Sequence, residues 1–237
     1  MILFVSDLHL CSSRPEINRI FFDFLAGPAR SAQALYILGD LFDYWAGDDD
    51  LAEPFNASVA LALAQSAQST PLYLMRGNRD FLVGARFAAA TGARLIDDPA
   101  LVDVCGTSTL LAHGDTLCTG DTGYQRFRSE VRSGGWSEAF LARPLAERKR
   151  EILALRSRSE REKQAKPAAI MDADPEAVAA LLRSHAYPRI IHGHTHRPAR
   201  HLHEVDGRRC ERWVLADWYA AGSYLRCDAS GCRAETI

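Results

Sequence analysis

Five short packets of carboxylate, amide and imidazole side chains, each set just behind an apolar run, constrain this chain more than any other feature. They are Asp7 and His9 in Ser-Asp-Leu-His, Asp40 in Gly-Asp-Leu-Phe-Asp, Asn78 in Gly-Asn-Arg-Asp, His113 in His-Gly-Asp, and His194 with His196 in Gly-His-Thr-His. A short apolar run that stops abruptly at polar residues reads as a buried strand reaching the edge of a sheet. In α/β sheets, ligands gather at the carboxyl ends of strands. Asp7, Asp40, Asn78 and His113 are therefore expected along one edge, and His194 and His196 follow Ile190-Ile191 in the same way. Alternation along the chain sets both members of Asp7-x-His9, and of His194-x-His196, on one side. A lone Asp behind a strand is more often a cap or turn residue, and a lone His more often structural. Five packets of mixed ligand type in one chain point instead to metal.

The donor set suits a pair of divalent transition metals. One metal would take Asp7, His9 and His196, the second Asn78, His113 and His194, with Asp40 bridging through its two oxygens. Two cations roughly 3.5–4 Å apart lower the pKa of a water between them and clamp both the attacking and the phosphoryl oxygens, which is the chemistry of phosphoester hydrolysis. Asp40, Asn78, Arg79 and His113 are the catalytic candidates. His192 reads as packed behind the last loop, and His185, His201 and His203 as surface residues without a ligand role.

The 237 residues, with 47% hydrophobic and 24% charged, allow one sizeable α/β domain over 1–237. A net charge of −2 and the absence of a basic groove studded with aromatics argue against a nucleic-acid partner. No secretory signal is expected at Met1, since no basic stretch precedes the apolar run and Asp7 ends it early. No run approaches the roughly 20 apolar residues of a membrane span. The six cysteines form no CxxC pair, and all are expected as reduced thiols.

Strands are expected over 1–6, 34–38, 72–75, 190–191 and in a hairpin joining 102–104 to 109–112. Helices are expected over 15–27, 54–68 and 80–91, the last closed by Gly92. From Arg200 onward, strands alternate with turn signals at Asp206-Gly207 and Ser230-Gly231. The first half thus reads βαβαβ and the second antiparallel β, giving a sheet or two stacked sheets covered by helices.

The stretch over about 120–175 reads as two or three amphipathic helices forming a cap inserted before the last packet. From Arg143 to Lys166 it carries nine Lys or Arg and four Glu, near Trp136, Phe140, Leu141 and Leu145. Basic residues beside apolar ones suit a diphosphate bearing acyl chains and an anionic membrane surface. A solvated helix laced with i,i+4 pairs would show the same composition.

The packets match the pattern of the calcineurin-like metallophosphoesterases, DxH, GDxx[DE], GN[HR][DE], a further His and GHxH. The match runs from Asp7 to His196. It implies a four-layered α/β/β/α sandwich. A closer resemblance is to the UDP-2,3-diacylglucosamine diphosphatase family of lipid A synthesis. It is carried by Ser6-Asp-Leu-His-Leu-Cys11, Tyr36-Ile-Leu-Gly-Asp-Leu-Phe42, Gly47-Asp-Asp-Asp50, Gly77-Asn-Arg-Asp-Phe-Leu82, His113-Gly-Asp-Thr-Leu-Cys-Thr119, Ala169-Ile-Met-Asp172 and Ile191-His-Gly-His-Thr-His-Arg-Pro198. This resemblance implies cleavage of UDP-2,3-diacylglucosamine at the α-phosphorus, giving UMP and 2,3-diacylglucosamine 1-phosphate. It implies two Mn²⁺ ions, peripheral attachment at the cytoplasmic face of the inner membrane, and no protein partner. It also implies substrate contacts at Asn78, Arg79, Asp121, Ser159, Lys163, Lys166 and His194. Lys163 stands where the family carries a small polar amide, and Leu215-Ala-Asp-Trp218 follows the family's Gly-x-Trp only loosely.

Arg79 occupies a position where many superfamily members carry His to protonate an alkoxide. An arginine cannot act as an acid near neutral pH, but it neutralises phosphate charge bidentately. A sugar phosphate, with a second pKa of about 6, leaves without a proton. Arg79 therefore favours pyrophosphate over monoester cleavage; the bland alternative is a surface arginine paired with Asp80. Other diphosphates or cyclic nucleotides, or a metal-free scaffold role, are the competing functions.

Overall fold

The computed structural model describes residues 1–165 and 168–237. Two sheets lie face to face. The first has the order β11-β10-β1-β2-β3-β4, from Gly231–Thr236, Ser223–Asp228, Ile2–Val5, Ala34–Leu38, Leu72–Met75 and Arg94–Ile96. The four strands β1 to β4 run parallel, and β10 adds antiparallel to β1. The second has the order β5-β6-β7-β9-β8, from Ala100–Val104, Thr107–Ala112, Arg189–His192, Arg208–Val214 and Ala199–Val205.

Three apolar layers follow from the period-2 alternation of the central strands. Leu3 and Val5 of β1, with Leu35 and Ile37 of β2, face the helices α1 (Pro15–Ala26), α2 (Pro54–Ala67) and α3 (Ala85–Thr91). Phe4, Tyr36 and Leu38 face the other sheet and meet Leu111 and Ile191. There Phe4, Tyr36 and Tyr73 stack, with centroids 5.2 and 4.5 Å apart. On the far side, Leu110 and Ile190 pack against Val178 and Leu182 of α7 (Pro175–Ser184). The result is the expected α/β/β/α sandwich.

Between β6 and β7 the chain forms α4 (Thr122–Val131), α5 (Gly134–Leu141) and α6 (Leu145–Ala165) before α7. Acidic residues after β2 hold α6 in place. Arg148, 2% exposed, binds the Ala46 carbonyl and Asp49; Lys149 meets Asp50 at 2.5 Å; and Arg156 grips Asp43 at 2.5 and 2.7 Å. Three of the basic residues weighed as a membrane or phosphate surface are therefore fastenings for the helix.

Four expectations change. The helix over 80–91 begins only at Ala85, because the Asp80 carboxylate turns inward and accepts the backbone N–H groups of Leu41 and Gly77 at 2.7 and 2.8 Å. The second half is not purely antiparallel, since β6, β7 and β9 run parallel. Both β4 and α7 went unanticipated. The cysteines are not all reduced: Cys227 and Cys232 stand directly opposite across the β10–β11 hairpin, with Cα atoms 4.1 Å apart, and form a disulfide. Their spacing of five is that of a tight hairpin, which directly faces the two thiols.

Candidate metal centre

All five packets meet at one end of the seam between the sheets. Asp7, Asp40 and Asn78 follow β1, β2 and β3 of the first sheet; His113, His194 and His196 follow β6 and β7 of the second. Each chain turns sharply as it leaves its strand. Asp7, His9, Asp40, His194 and His196 all carry left-handed backbone, with φ of 55°, 48°, 54°, 67° and 53°. The side chains of Asp7 and His9 are therefore brought together by a turn, and the strand pleat assumed from the sequence is not what aligns them.

Glycines let these turns touch. A Cβ on Gly77 would stand 2.1 Å from Asp40 Oδ1, and one on Gly193 would stand 2.0 Å from Ser6 Oγ and 2.2 Å from Asp7 Oδ2. Asp7 Oδ2 accepts from Ser6 Oγ at 2.6 Å and from the His194 N–H at 2.8 Å. Its Oδ1 is buried without a hydrogen bond and lies 3.3 Å from His196 Nε2.

Two nests of donors result. In one, Asp7, His9 and His196 converge, and the Nε2 atoms of His9 and His196 face each other at 3.4 Å. In the other, Asn78 Oδ1 lies 2.9 Å from His113 Nε2 and 2.8 Å from His194 Nδ1. Asp40 stands between them, Oδ2 3.8 Å from His9 Nδ1 and Oδ1 3.8 Å from His113 Nε2. His113 Nδ1 is 2.9 Å from the Leu38 carbonyl, which takes its proton and leaves Nε2 as a lone-pair donor. Facing imidazole nitrogens, an orphaned buried carboxylate oxygen and an amide oxygen flanked by two more imidazoles form a donor set that fits divalent cations.

The charges reinforce this. Burial raises the Asp40 carboxyl to about 7, with Asp80 and Asp7 adding like-charge repulsion. Burial alone would depress His113, yet the carboxylates of Asp40, Asp115, Asp7 and Asp98 outweigh it and raise the imidazole to about 9, so that without a metal Nε2 holds a proton that a bound cation displaces. A buried site this rich in carboxylate attracts positive charge. Burial depresses His9 well below the ordinary imidazole range, which keeps one ring nitrogen's lone pair available.

The centre opens into a cleft of about 530 Å³. Asn78, Arg79, Asp121, Ser159 and His194 all line it. The Arg79 N–H donates to Asp40 Oδ1 at 2.8 Å, tying the arginine's backbone to the middle of the centre. Asp121 caps α4 by accepting the Tyr124 N–H at 3.1 Å. Lys163 belongs to α6, and Lys166 lies outside the described residues. His192 is fully buried: its Nδ1 is 2.9 Å from the Gly193 carbonyl, and Arg212 Nη1 meets its Nε2 at 2.9 Å. His203 accepts from Arg212 Nε at 3.1 Å and is half-buried, so it is no simple surface residue.

Sequence reasoning missed much of the cleft wall. Tyr44, Trp45 and Phe81 line it beside Phe127 and Trp136 of the anticipated cap. Also missed was a buried support under the centre: Asp115 accepts from Tyr124 Oη at 2.5 Å and from Arg128 Nε at 2.7 Å. The His-Gly-Asp packet held the signal for Asp115, but no spacing marks the aromatic wall.

The calcineurin-like phosphoesterase family model matches residues 1–198. A UDP-2,3-diacylglucosamine hydrolase of Aromatoleum aromaticum is 58% identical, over 97% of this chain and 94% of its own length. One of Chromobacterium violaceum is 50% identical, over 97% and 96%. Among solved structures, a phosphoesterase from E. coli is similar with a TM-score of 0.45 at 13% identity, over 94% of this chain and 86% of that one. The family model and the two curated relatives, each matched along nearly the whole chain, settle the family: the chain belongs to the calcineurin-like phosphoesterases and, within them, to the UDP-2,3-diacylglucosamine hydrolases.

Proposed function

We propose that this chain hydrolyses the pyrophosphate bond of UDP-2,3-diacylglucosamine at the α-phosphorus, releasing UMP and 2,3-diacylglucosamine 1-phosphate. The observation that carries this reading is one continuous cleft that joins the ligand nests to a wall of Trp45, Phe81, Trp136, Ile152 and Leu155. Relatives that share up to 58% of the sequence are named for that substrate. A phosphate-reactive end and an apolar groove suit a diphosphate with acyl chains on one side.

Asp7, His9 and His196 would hold one metal, Asn78, His113 and His194 the other, and Asp40 both; we take the ions as Mn²⁺. When bound, they supply Lewis acidity and lower the pKa of water at neutral pH. The chain's own groups do the rest. Arg79, leashed to Asp40, offers a guanidinium to the equatorial phosphate oxygens as charge builds. Water adds to the α-phosphorus, the bond to the bridging oxygen breaks, and that oxygen leaves with the sugar phosphate. The leaving phosphate needs no proton, so no side chain need act as an acid there. Ser159, Asp121, Lys163 and Lys166 would bind the sugar and its phosphate.

We also place the chain at the cytoplasmic face of the inner membrane, as a peripheral protein without a protein partner. Among the described residues no helix is long and apolar enough to cross a membrane. Phe127, Leu141 and Leu153 of α4, α5 and α6 are exposed at 38%, 40% and 46%, and would meet lipid beside the mouth of the groove.

The test is UMP release from UDP-2,3-diacylglucosamine by chelator-stripped protein, with and without added Mn²⁺. Metal-dependent UMP is the expected outcome. Equal rates on the acylated and deacylated UDP-sugars would sink the lipid reading.

A further inference from the structure

If the acyl half of the substrate fills the groove under α4–α6, the nucleoside half must leave the centre elsewhere. Tyr219 stands beside the first ligand nest, with ring centroids 5.4 Å from His9 and 5.7 Å from His196. It contributes nothing to the wall of the groove. Half of its surface is open to solvent, at 50% exposure. A large aromatic ring half exposed beside a phosphate-reactive centre is placed to receive a flat ligand.

The ring is also held in position. The Arg14 guanidinium lies 4.7 Å from its centroid, a cation–π contact. Arg14 is fixed in turn by the carbonyls of Leu8 and His9, at 3.3 and 3.2 Å, and by that of Trp218. Trp218, fully buried, donates its backbone N–H to the Asp7 carbonyl at 3.0 Å and its indole N–H to the Ser223 carbonyl at 2.8 Å. The turn that carries Tyr219 is therefore locked to the turn that carries Asp7 and His9. The carbonyls orient Arg14 without cancelling its charge, and among the described residues no carboxylate forms an ion pair with it. A positive charge beside a half-exposed aromatic ring, rigidly joined to a phosphate site, matches the chemistry of a nucleotide: base on the ring, phosphate towards the cation.

We propose that Tyr219, backed by Arg14, is the nucleoside subsite, on which the pyrimidine base of the substrate and of the released nucleotide stacks. The proposal rests on the diphosphate reading above. It assigns the two halves of the substrate to opposite flanks of the centre, with the scissile phosphorus between them.

The test measures equilibrium binding of UMP, and separately of 2,3-diacylglucosamine 1-phosphate, to Mn²⁺-loaded wild type, Tyr219→Ala and Tyr219→Phe, with metal content checked for each. Base–aromatic stacking predicts about a tenfold weaker UMP affinity for Tyr219→Ala. The KM for the UDP-sugar should rise by a similar factor. Tyr219→Phe keeps the ring and should keep UMP affinity, while the lipid product binds all three alike. Equal UMP affinity in wild type and Tyr219→Ala at equal metal content would overturn the proposal, as would an alanine variant that loses metal and nothing else. A wild type that releases no UMP from the lipid substrate, yet binds UMP in a Tyr219-dependent manner, would overturn the substrate reading and leave the subsite standing.

Discussion

Arg79 lines the cleft, and its backbone N–H donates to Asp40 Oδ1 at 2.8 Å. Its backbone contact survives truncation of the side chain, so the two roles can be separated by mutation. Arg79→Ala should leave both metals bound and lower kcat by roughly 10²-fold, the scale of losing one charged hydrogen-bonding group aimed at developing charge. Arg79→Lys should recover only part of this, because an ammonium cannot make the planar two-point contact. Metal content by elemental analysis, beside steady-state kinetics, checks both. Full activity in the alanine variant would remove the guanidinium from the reaction. The left-handed turns show why residue chemistry was easier to read than residue geometry. Asp7, His9, Asp40, His194 and His196 stand out as residue types in fixed packets, yet their positive φ values record close chain crossings that no single packet contains.

Elements were legible where burial imposes a pattern. Both β1 and β2 are covered on two faces, so each appears as an uninterrupted apolar run. The edge strand β4 has only three residues, none fully buried, and leaves no such trace. Helix α3 was drawn too long because Asp80 resembles a cap, while its actual partners are the amides of Gly77 just before it and of Asp40 and Leu41 some forty residues earlier. Charged residues on α6 had two readings, and contacts with Asp43, Asp49 and Asp50 decide for three of them. Two predictions belong here. Arg156→Ala releases α6 from Asp43, the last residue of the Asp40 packet, and should raise KM for the acylated substrate several-fold with less effect on kcat. Asp43→Ala should do the same, and the double variant should be no worse than either, as for any coupled pair. Independent, additive effects would show that the clamp has no part in shaping the groove. The second concerns the tie between α7 and the β8–β9 hairpin, where Asp206 accepts from Arg183 Nε at 2.8 Å and Tyr187 Oη at 2.7 Å. These contacts hold the Asp206 carboxyl down to about 2. A depressed carboxyl stabilises the fold above its ordinary value near 4, and that contribution drains away as pH falls from about 4 through 2. The Asp206→Asn variant should therefore unfold at lower urea than wild type at pH 7, with the gap narrowing below pH 4. The pair is solvent-exposed, so the gap should be small and shrink in high salt. A gap that persists unchanged at pH 3 would mean the carboxylate charge contributes nothing.

At the scale of the whole molecule, the ligand nests are a seam. Asp7, Asp40 and Asn78 come from the first sheet, and His113, His194 and His196 from the second. This arrangement was hidden in the sequence, because the packets are separated by the helices α4–α7 and nothing local shows that β6 and β7 leave the first sheet. A cation held at the seam binds the folded sandwich and finds no such site in the unfolded chain, so its binding free energy adds to stability. The metal-free centre already carries a destabilising load: Asp40 and Asp80 are each at most 1% exposed, and burial raises both carboxyls above the ordinary carboxylate range. Adding Mn²⁺ to chelator-stripped protein should therefore raise Tm. Free metal at 100 times its Kd contributes about 2.7 kcal/mol per site. For a chain of this size each kcal/mol moves Tm by roughly 2–4 °C, so a shift of about 5–10 °C per site is expected. Asp40→Ala removes the carboxylate between the nests. It should lose nearly all turnover and most of this shift, while its metal-free Tm should match or exceed that of the wild type, because one buried charge is gone. Calorimetry on both proteins, with and without metal, reads the shift and the metal-free Tm, and UMP release reads the turnover. A wild type whose Tm ignores Mn²⁺, or an Asp40→Ala protein that gains as much as the wild type, would show that the seam is held by the two sheets alone.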